Sequence, residues 1–186
     1  MENKKKSRTK EIVVAALVAA VIGVIYTVLD YFYMPMSAVL GPIFMEITFG
    51  IYLLSAFLPM YIVRKPGFAI YGAILTAVVN LLLGSPYGVQ VILAGVLQAV
   101  GIEIGFALSK YKVNAISMIV GPILASLLVF VRDYFVFGYS QVATSVLIGI
   151  VVVRVISALV IGGLLVCGIT SAVKKTGTLK GFRCSE

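Results

Sequence analysis

Glu46 is the residue that most needs a reason. It is the one charge in an apolar run that extends from residue 41 to residue 63. Insertion scales put an acid near a helix centre at roughly 2.5 to 3.5 kcal/mol in lipid. A carboxylate held at that cost faces the protein interior and serves a purpose. Four more charges lie within apolar stretches, Glu103, Arg132, Asp133 and Arg154, and Asp30 closes the first such stretch. The amides Asn80, Gln90 and Gln98 accompany them. Carboxylates, amides and aromatic rings suit a small polar solute, above all a cationic one. They do not suit metal or nucleophile chemistry. The chain has no histidine, and Cys167 and Cys184 form no motif, which argues against zinc, haem and a disulfide framework. No Ser or Cys stands beside a base in a recognisable motif. No Gly-x-x-x-x-Gly-Lys-[Ser/Thr] loop is present to hold a nucleotide. Neither a cofactor nor enzymatic activity is expected.

These side chains must be positioned by membrane helices. Of the 186 residues 61% are hydrophobic, where soluble domains are nearer 45–50%, and the mean hydropathy is +1.13. A spanning helix takes ~20 residues, and the pattern predicts six of them in one membrane domain covering 1–186. Residues 1–10 form a basic tail, followed by a retained first helix over 11–29. The second helix covers 41–63 and stops at Arg64-Lys65-Pro66. The third covers 67–83 and closes on the turn sequence Gly84-Ser85-Pro86-Tyr87-Gly88. The fourth covers 89–109, the fifth 115–137 and the sixth 141–173. The sixth exceeds what a bilayer needs, so it tilts or extends into water. A second basic tail begins at Lys174.

The cations support that count. Thirteen of the fifteen Lys and Arg fall in the two tails and in the loops after helices two and four. With six spans, all thirteen lie on one side. The loops after helices one, three and five carry none. The positive-inside rule then puts both termini in the cytoplasm. It also explains the net charge of +8 without a nucleic-acid partner.

Depth and helical angle sort the polar groups. Glu46, Asn80, Gln90, Gln98 and Asp133 share the outer half of the bundle, while Glu103 and Arg154 lie deeper. On helix four, Gln90, Ala94, Gln98, Gly101 and Gly105 make one small or polar stripe. Glu103 is five residues past Gln98, about 140° round the helix. Gln98 is therefore assigned to the ligand, and Glu103 to a structural ion pair with Arg154. On helix five, Ser126, Phe130, Asp133 and Phe137 share a face. Arg132 is turned away, to snorkel outward or to pair with an acid such as Asp30. For Glu46, helix capping or a helix–helix contact is the alternative to ligand binding. Asn80 and Gln98 have the same alternative, and Arg132 is a candidate to neutralise Asp133. Tyr31, Phe32, Tyr33, Tyr87, Tyr134, Phe135, Phe137 and Tyr139 crowd the outer ends as an interfacial belt. Tyr87 and Tyr139, in outer loops, are lid candidates.

Helix one carries a different signal. Ala15, Ala16, Ala19, Ala20 and Gly23 form overlapping small-xxx-small spacings, which let another helix approach closely. The approaching helix belongs either to the same bundle or to a partner subunit.

The ordered segments GPIFMEITFGIY (41–52), RKPG (64–67), LLLGSPYG (81–88), VLQAVGIEIGF (96–106), RDYFVFGY (132–139) and VRVISALVIGGLL (153–165) cover most of the chain. The ordered set resembles the substrate-binding S component of an energy-coupling factor vitamin transporter, of the YkoE type associated with thiamine and its hydroxymethylpyrimidine moiety. The resemblance implies a six-helix S-component fold in a prokaryotic cell membrane. The vitamin would bind near the outer face through Glu46, Asn80, Tyr87, Gln98, Asp133 and Tyr139. Helix one would dock a transmembrane coupling subunit that itself carries two ATPase subunits. Asn80 stands where the resembled pattern has an acid, a departure that implies a less cationic ligand. An S component for another vitamin, an autonomous secondary transporter, an intramembrane enzyme and a lipid-binding structural protein are the competing classes. Uptake by the protein alone would favour the second, although six short helices with no internal repeat weigh against it.

Overall fold

The structure, a computed structural model, describes residues 2–136, 138–179 and 181–185, leaving aside the side chains of 2–7, 42 and 185. Phe137, Lys180 and the side chains of Lys4, Lys5 and Lys6, invoked above, lie outside that description. The described residues are helical, with no strand among them. Helix α1 covers Glu2–Leu40, α2 Pro42–Ile47, α3 Phe49–Tyr52, α4 Leu54–Val63, α5 Phe68–Leu82, α6 Gln90–Leu108 and α7 Ala115–Val136. A short 3₁₀ turn, Tyr139–Gln141, leads to α8 (Thr144–Ser157), a π-helical turn (Ala158–Gly162) and α9 (Gly163–Lys175). Four stretches are long and apolar enough to cross a membrane: Arg8–Leu40, Gln90–Leu108, Ala115–Val136 and Thr144–Lys175. Leu54–Val63 and Phe68–Leu82 are apolar but shorter.

Three of the expected helices keep their bounds to within two residues, because Gly67, the Gly84–Gly88 turn and the Lys110–Asn114 loop stop them. Two expectations are corrected. The first helix does not end at residue 29. It runs from Glu2 to Leu40, so residues 2–10, expected as a tail, are helical, and Asp30 lies inside the helix rather than at its tip. The second helix is not continuous but breaks at Thr48 (φ −99°, ψ 1°) and again at Leu53.

The break at Thr48 has an identifiable cause. The Thr48 hydroxyl donates to the Met45 carbonyl at 3.0 Å, a local bond that competes with the helical ladder. Backbone groups freed at membrane depth must find partners inside the protein. Two distant side chains supply them. The Ser157 hydroxyl donates to Ile47 O at 2.6 Å and accepts the Gly50 N–H at 2.9 Å. The Tyr26 hydroxyl lies 2.8 and 2.5 Å from the carbonyls of Ile51 and Tyr52 and accepts the Ser55 N–H at 3.0 Å. Gly50 permits the contact, since a Cβ there would sit 2.3 Å from Ser157 O. The π turn begins one residue past Ser157 and packs on α3, so two irregular segments meet at one place.

Elsewhere the bundle closes through small residues. A Cβ on Gly101 would lie 2.2 Å from Ala125 N, and one on Gly105 2.4 Å from the Gly121 Cα, so α6 and α7 pack backbone to backbone. Helix α1 lies on α5 and α4. Its outward face, with Leu17, Val21, Val24 and Val28 exposed, is apolar in the way a lipid-facing surface must be.

The end of the bundle near Arg64 is tied by charge and by apolar packing. Lys65 Nζ lies 2.6 Å from both Glu11 carboxylate oxygens. The C-terminal segment is more than a basic tail. Leu179, Phe182 and Cys184 are buried, Arg183 Nη1 donates to Arg64 O at 3.0 Å, and Lys10 Nζ lies 5.4 Å from the Phe182 ring centroid.

Candidate substrate-binding site

At the opposite end, around the Gly84–Gly88 turn, the helices diverge about a cavity of about 140 Å³. That is well above the ~10–15 Å³ that one water needs. Helix α1 contributes Tyr26, Asp30 and Tyr33; α2 to α4 contribute Glu46, Thr48, Phe49, Tyr52 and Ser55; α5 contributes Thr76 and Asn80. Tyr87, then Gln90, Ala94 and Gln98 of α6, Arg132 and Asp133 of α7, Tyr139, and Arg154 of α8 complete the wall. The broken second helix turns Glu46, Phe49 and Tyr52 into this space. Irregular backbone at membrane depth is tolerated where it is buried or lines such a cavity.

One side of the cavity is a four-charge cluster. Arg154 holds Glu46 with two hydrogen bonds, Nε to Oε2 at 2.5 Å and Nη2 to Oε1 at 2.7 Å. Its Nη2 also reaches Asp133 Oδ2 at 2.6 Å. Arg132 Nη1 donates to Asp133 Oδ1 at 2.6 Å, and its Nη2 to the backbone and side-chain oxygens of Gln90 at 3.2 and 3.3 Å. Tyr139 donates to Glu46 Oε1 at 3.2 Å. The Arg154 guanidinium lies over the Phe49 ring at 4.9 Å. Glu46, Asp133 and Arg154 are all buried. Two arginines face two acids, so the cluster is formally neutral.

The other side is aromatic and holds a single acid. Asp30, 1% exposed, receives Tyr52 OH on Oδ1 at 2.8 Å, and the Asn80 amide and Ser85 hydroxyl on Oδ2 at 3.0 and 2.7 Å. The rings of Tyr26 and Tyr52 are 4.8 Å apart and those of Tyr33 and Tyr52 5.8 Å. Burial, with Asp30 and Tyr33 close by, pushes the Tyr87 phenol above its usual range. Burial and then Glu46 do the same to Tyr139. Both therefore act at neutral pH as hydroxyls rather than phenolates. Among the described residues, Tyr87 Oη and Arg154 Nη1 stand in the cavity wall without a hydrogen-bond partner.

Comparison with known proteins identifies the scaffold. Residues 10–128 match a family described as the permease component of an ABC-type cobalt transport system. A Bacillus subtilis (strain 168) protein provisionally named HMP/thiamine permease protein YkoE is 32% identical over 182 residues, covering 96% of this chain and 90% of that protein. A crystal structure of an S component of an energy-coupling factor (ECF) transporter superposes with a TM-score of 0.90 at 31% identity, covering 95% of this chain and 90% of the other. The chain belongs to the YkoE-type S components. It is a multi-pass protein of a prokaryotic plasma membrane with the S-component fold, from a transporter family. Among the described residues no group of three or more His, Cys, Asp or Glu could hold a metal.

In this S component the six residues expected at the site, Glu46, Asn80, Tyr87, Gln98, Asp133 and Tyr139, all line the one cavity. Tyr139 is buried and hydrogen-bonded to Glu46, so it stands in the wall rather than over it. The expected Glu103–Arg154 pair is not formed. Glu103 Oε1 instead accepts the Gly67 N–H at 2.8 Å and Tyr111 OH at 3.1 Å. The reason is the neighbours: α6 packs on α5 and α7, whereas α8 packs on α2 and α7. A carboxylate at the start of α5 meets the positive end of that helix. Arg132 likewise pairs with Asp133 and Gln90 rather than with Asp30 or the outside.

Sequence reasoning singled out Asp30 as a charge at a helix end and Tyr33 as part of an interfacial belt but assigned neither to the site, and it passed over Tyr26 and Tyr52. A signal for three of them was present. Tyr26, Asp30 and Tyr33 recur at i, i+4 and i+7, one face of a helix, provided helix one continues past residue 29. The alanine patch divides in the same way. Ala15 and Ala19 are buried in the bundle, where the Thr76 hydroxyl donates to Ala19 O at 3.1 Å. They are therefore not available to a partner. Ala16 and Ala20 remain partly exposed.

Proposed function

We propose that this protein is the high-affinity substrate-binding subunit of an ECF importer for thiamine or its hydroxymethylpyrimidine moiety. Glu46, Asn80, Tyr87, Gln98, Asp133 and Tyr139 are its ligand contacts. The observation that carries the reading is that all six, from segments far apart in sequence, converge on one aromatic-walled cavity into which Tyr87 Oη and Arg154 Nη1 bring unpartnered polar atoms, in a chain 32% identical to a protein named as an HMP/thiamine permease. The flat aminopyrimidine offers edges for Gln98 and Asn80 to hydrogen-bond, and faces for tyrosines to cover.

The subunit works with a transmembrane coupling subunit and two ATPase subunits, whose ATP hydrolysis turns the cavity towards the cell interior. The coupling subunit docks at Ala16 and Ala20. The chain forms one membrane domain of six spans with both termini in the cytoplasm, as the one-sided distribution of Lys and Arg supports. The broken α2–α4 and the short α5 supply the second and third spans.

The deciding experiment is calorimetric titration of the detergent-purified protein with thiamine, hydroxymethylpyrimidine, riboflavin and biotin. Sub-micromolar binding of thiamine or the pyrimidine alone is expected, and Glu46→Gln should weaken it. Tight binding of riboflavin or biotin instead assigns a different vitamin. No binding of any of them removes the S-component site from this cavity.

A further inference from the structure

Glu46 and Asp133 are the acids that a sequence reading picks out for a cationic ligand. In the structure neither has charge to spare. Arg154 and Arg132 neutralise them at 2.5 to 2.6 Å, leaving a cluster whose formal charges cancel. Asp30 is different. Three groups donate to it, and all three are neutral: Tyr52, Asn80 and Ser85. Among the described residues no Lys or Arg pairs with it. It is nonetheless one of the most buried acids in the chain, and it lines the cavity. A buried carboxylate without a countercharge is costly unless a cation arrives. Its two oxygens have about four acceptor positions, of which three are filled. Around it stand Tyr26, Tyr33, Tyr52 and Tyr87, whose ring faces attract cations.

We propose that Asp30 is the residue that reads ligand charge, and that the cavity therefore selects an aromatic monocation seated at the α1–α5 side, with the arginine cluster serving as a neutral polar wall. The inference rests on the thiamine reading above, and sharpens it. Thiamine, with its permanent thiazolium charge, is the preferred ligand, and the uncharged hydroxymethylpyrimidine binds without this contribution. Asn80 and Ser85 hold the carboxylate in place and leave it one acceptor position facing the cation.

The test varies charge on both partners. Thiamine and its uncharged isostere, in which a thiophene replaces the thiazolium, are titrated by calorimetry into the wild-type protein and into Asp30→Asn. Losing one partner of a buried charge pair typically weakens binding by about 30-fold or more. The wild type should therefore prefer thiamine over the isostere by at least that factor. Asp30→Asn should bind both with similar affinity, near that of the wild type for the isostere. Equal affinity of the wild type for both ligands overturns the charge-reading role while leaving the thiamine reading intact. So does a preference that survives in Asp30→Asn. Failure of the wild type to bind either ligand removes the thiamine reading as well. Should Asp30→Asn not fold, Glu46→Gln and Asp133→Asn carry the test. Both are expected to bind more weakly yet keep the preference for the cation, and loss of that preference in either one overturns the assignment.

Discussion

Arg154 Nη2 lies 2.7 Å from Glu46 Oε1 and 2.6 Å from Asp133 Oδ2, so one guanidinium nitrogen joins carboxylates from two other helices. The same side chain grips Glu46 a second time through Nε. Helices α2, α7 and α8 are thereby fixed to one another at the cavity wall. Removing one member of such a buried set strands the others, typically at about 3 to 5 kcal/mol. Arg154→Met should destabilise by about that amount, read as a fall in the thermal midpoint in detergent. Glu46→Gln combined with Arg154→Met should cost less than the sum of the two single changes. A strictly additive double variant would mean that the pair is uncoupled.

The interrupted second helix depends on Ser157. Its hydroxyl serves both Ile47 O and the Gly50 N–H. Ser157→Ala leaves both without their partner, a cost of about 1 to 3 kcal/mol for a buried polar group. Amide hydrogen exchange should quicken across 48–53 while α6 and α7 stay protected. Gly50→Ala should destabilise by a similar ~1–3 kcal/mol through overpacking, because its Cβ would meet Ser157 O at 2.3 Å. Unchanged exchange in Ser157→Ala would show that the break is held by Tyr26 alone.

Glu103 belongs to the far end of the bundle. It accepts from the first backbone N–H of the α5 region and from Tyr111, away from the charge cluster. Glu103→Gln should lose only the carboxylate–helix interaction, about 0.3 to 1 kcal/mol, and leave vitamin affinity within twofold. A tenfold loss of affinity in this variant would reconnect Glu103 to the binding site.

The two alanine pairs on α1 should respond differently to enlargement. Ala19 is wholly buried against the bundle, so Ala19→Leu overpacks the core and should lower thermal stability by about 1 to 3 kcal/mol. Ala16 and Ala20 are partly exposed. Ala16→Leu with Ala20→Leu should leave stability and vitamin binding intact and abolish co-purification with the coupling subunit. Retained co-purification would place the docking surface elsewhere.

Where the sequence was readable, local chemistry decided. The ends of α5, α6 and α7 follow from glycines and short polar loops beside them. Glu46, Asn80, Gln98 and Asp133, four of the polar residues that line the cavity, were legible because apolar surroundings make each of them stand out, while Tyr87 and Tyr139 were legible as aromatics in outer loops. What was not legible is long-range. Thr48 breaks its helix only because Tyr26 and Ser157, 22 residues before and 109 after it, satisfy the freed backbone. Depth alone paired Glu103 with Arg154, but choosing among three acids for one arginine requires knowing which helices touch. Asp30 was read as a helix end because Tyr31, Phe32 and Tyr33 look like an interfacial belt. Tyr31 and Phe32 are indeed exposed, while Tyr33 is buried beside the cavity. Asp30 of α1 places a carboxylate oxygen 3.0 Å from the Asn80 amide.

The charge balance of the cavity also bears on electricity. Its empty side chains sum to one formal negative charge, carried by Asp30, and a bound monocation brings the sum to zero. A subunit that turns this cavity across the bilayer would then move no net charge from the site when loaded and one charge when empty. Each charge crossing the full field is worth about 2.3 kcal/mol per 100 mV. The membrane potential, negative inside, would thus assist the return of the empty cavity to the outside and leave the inward, loaded step to be driven by ATP.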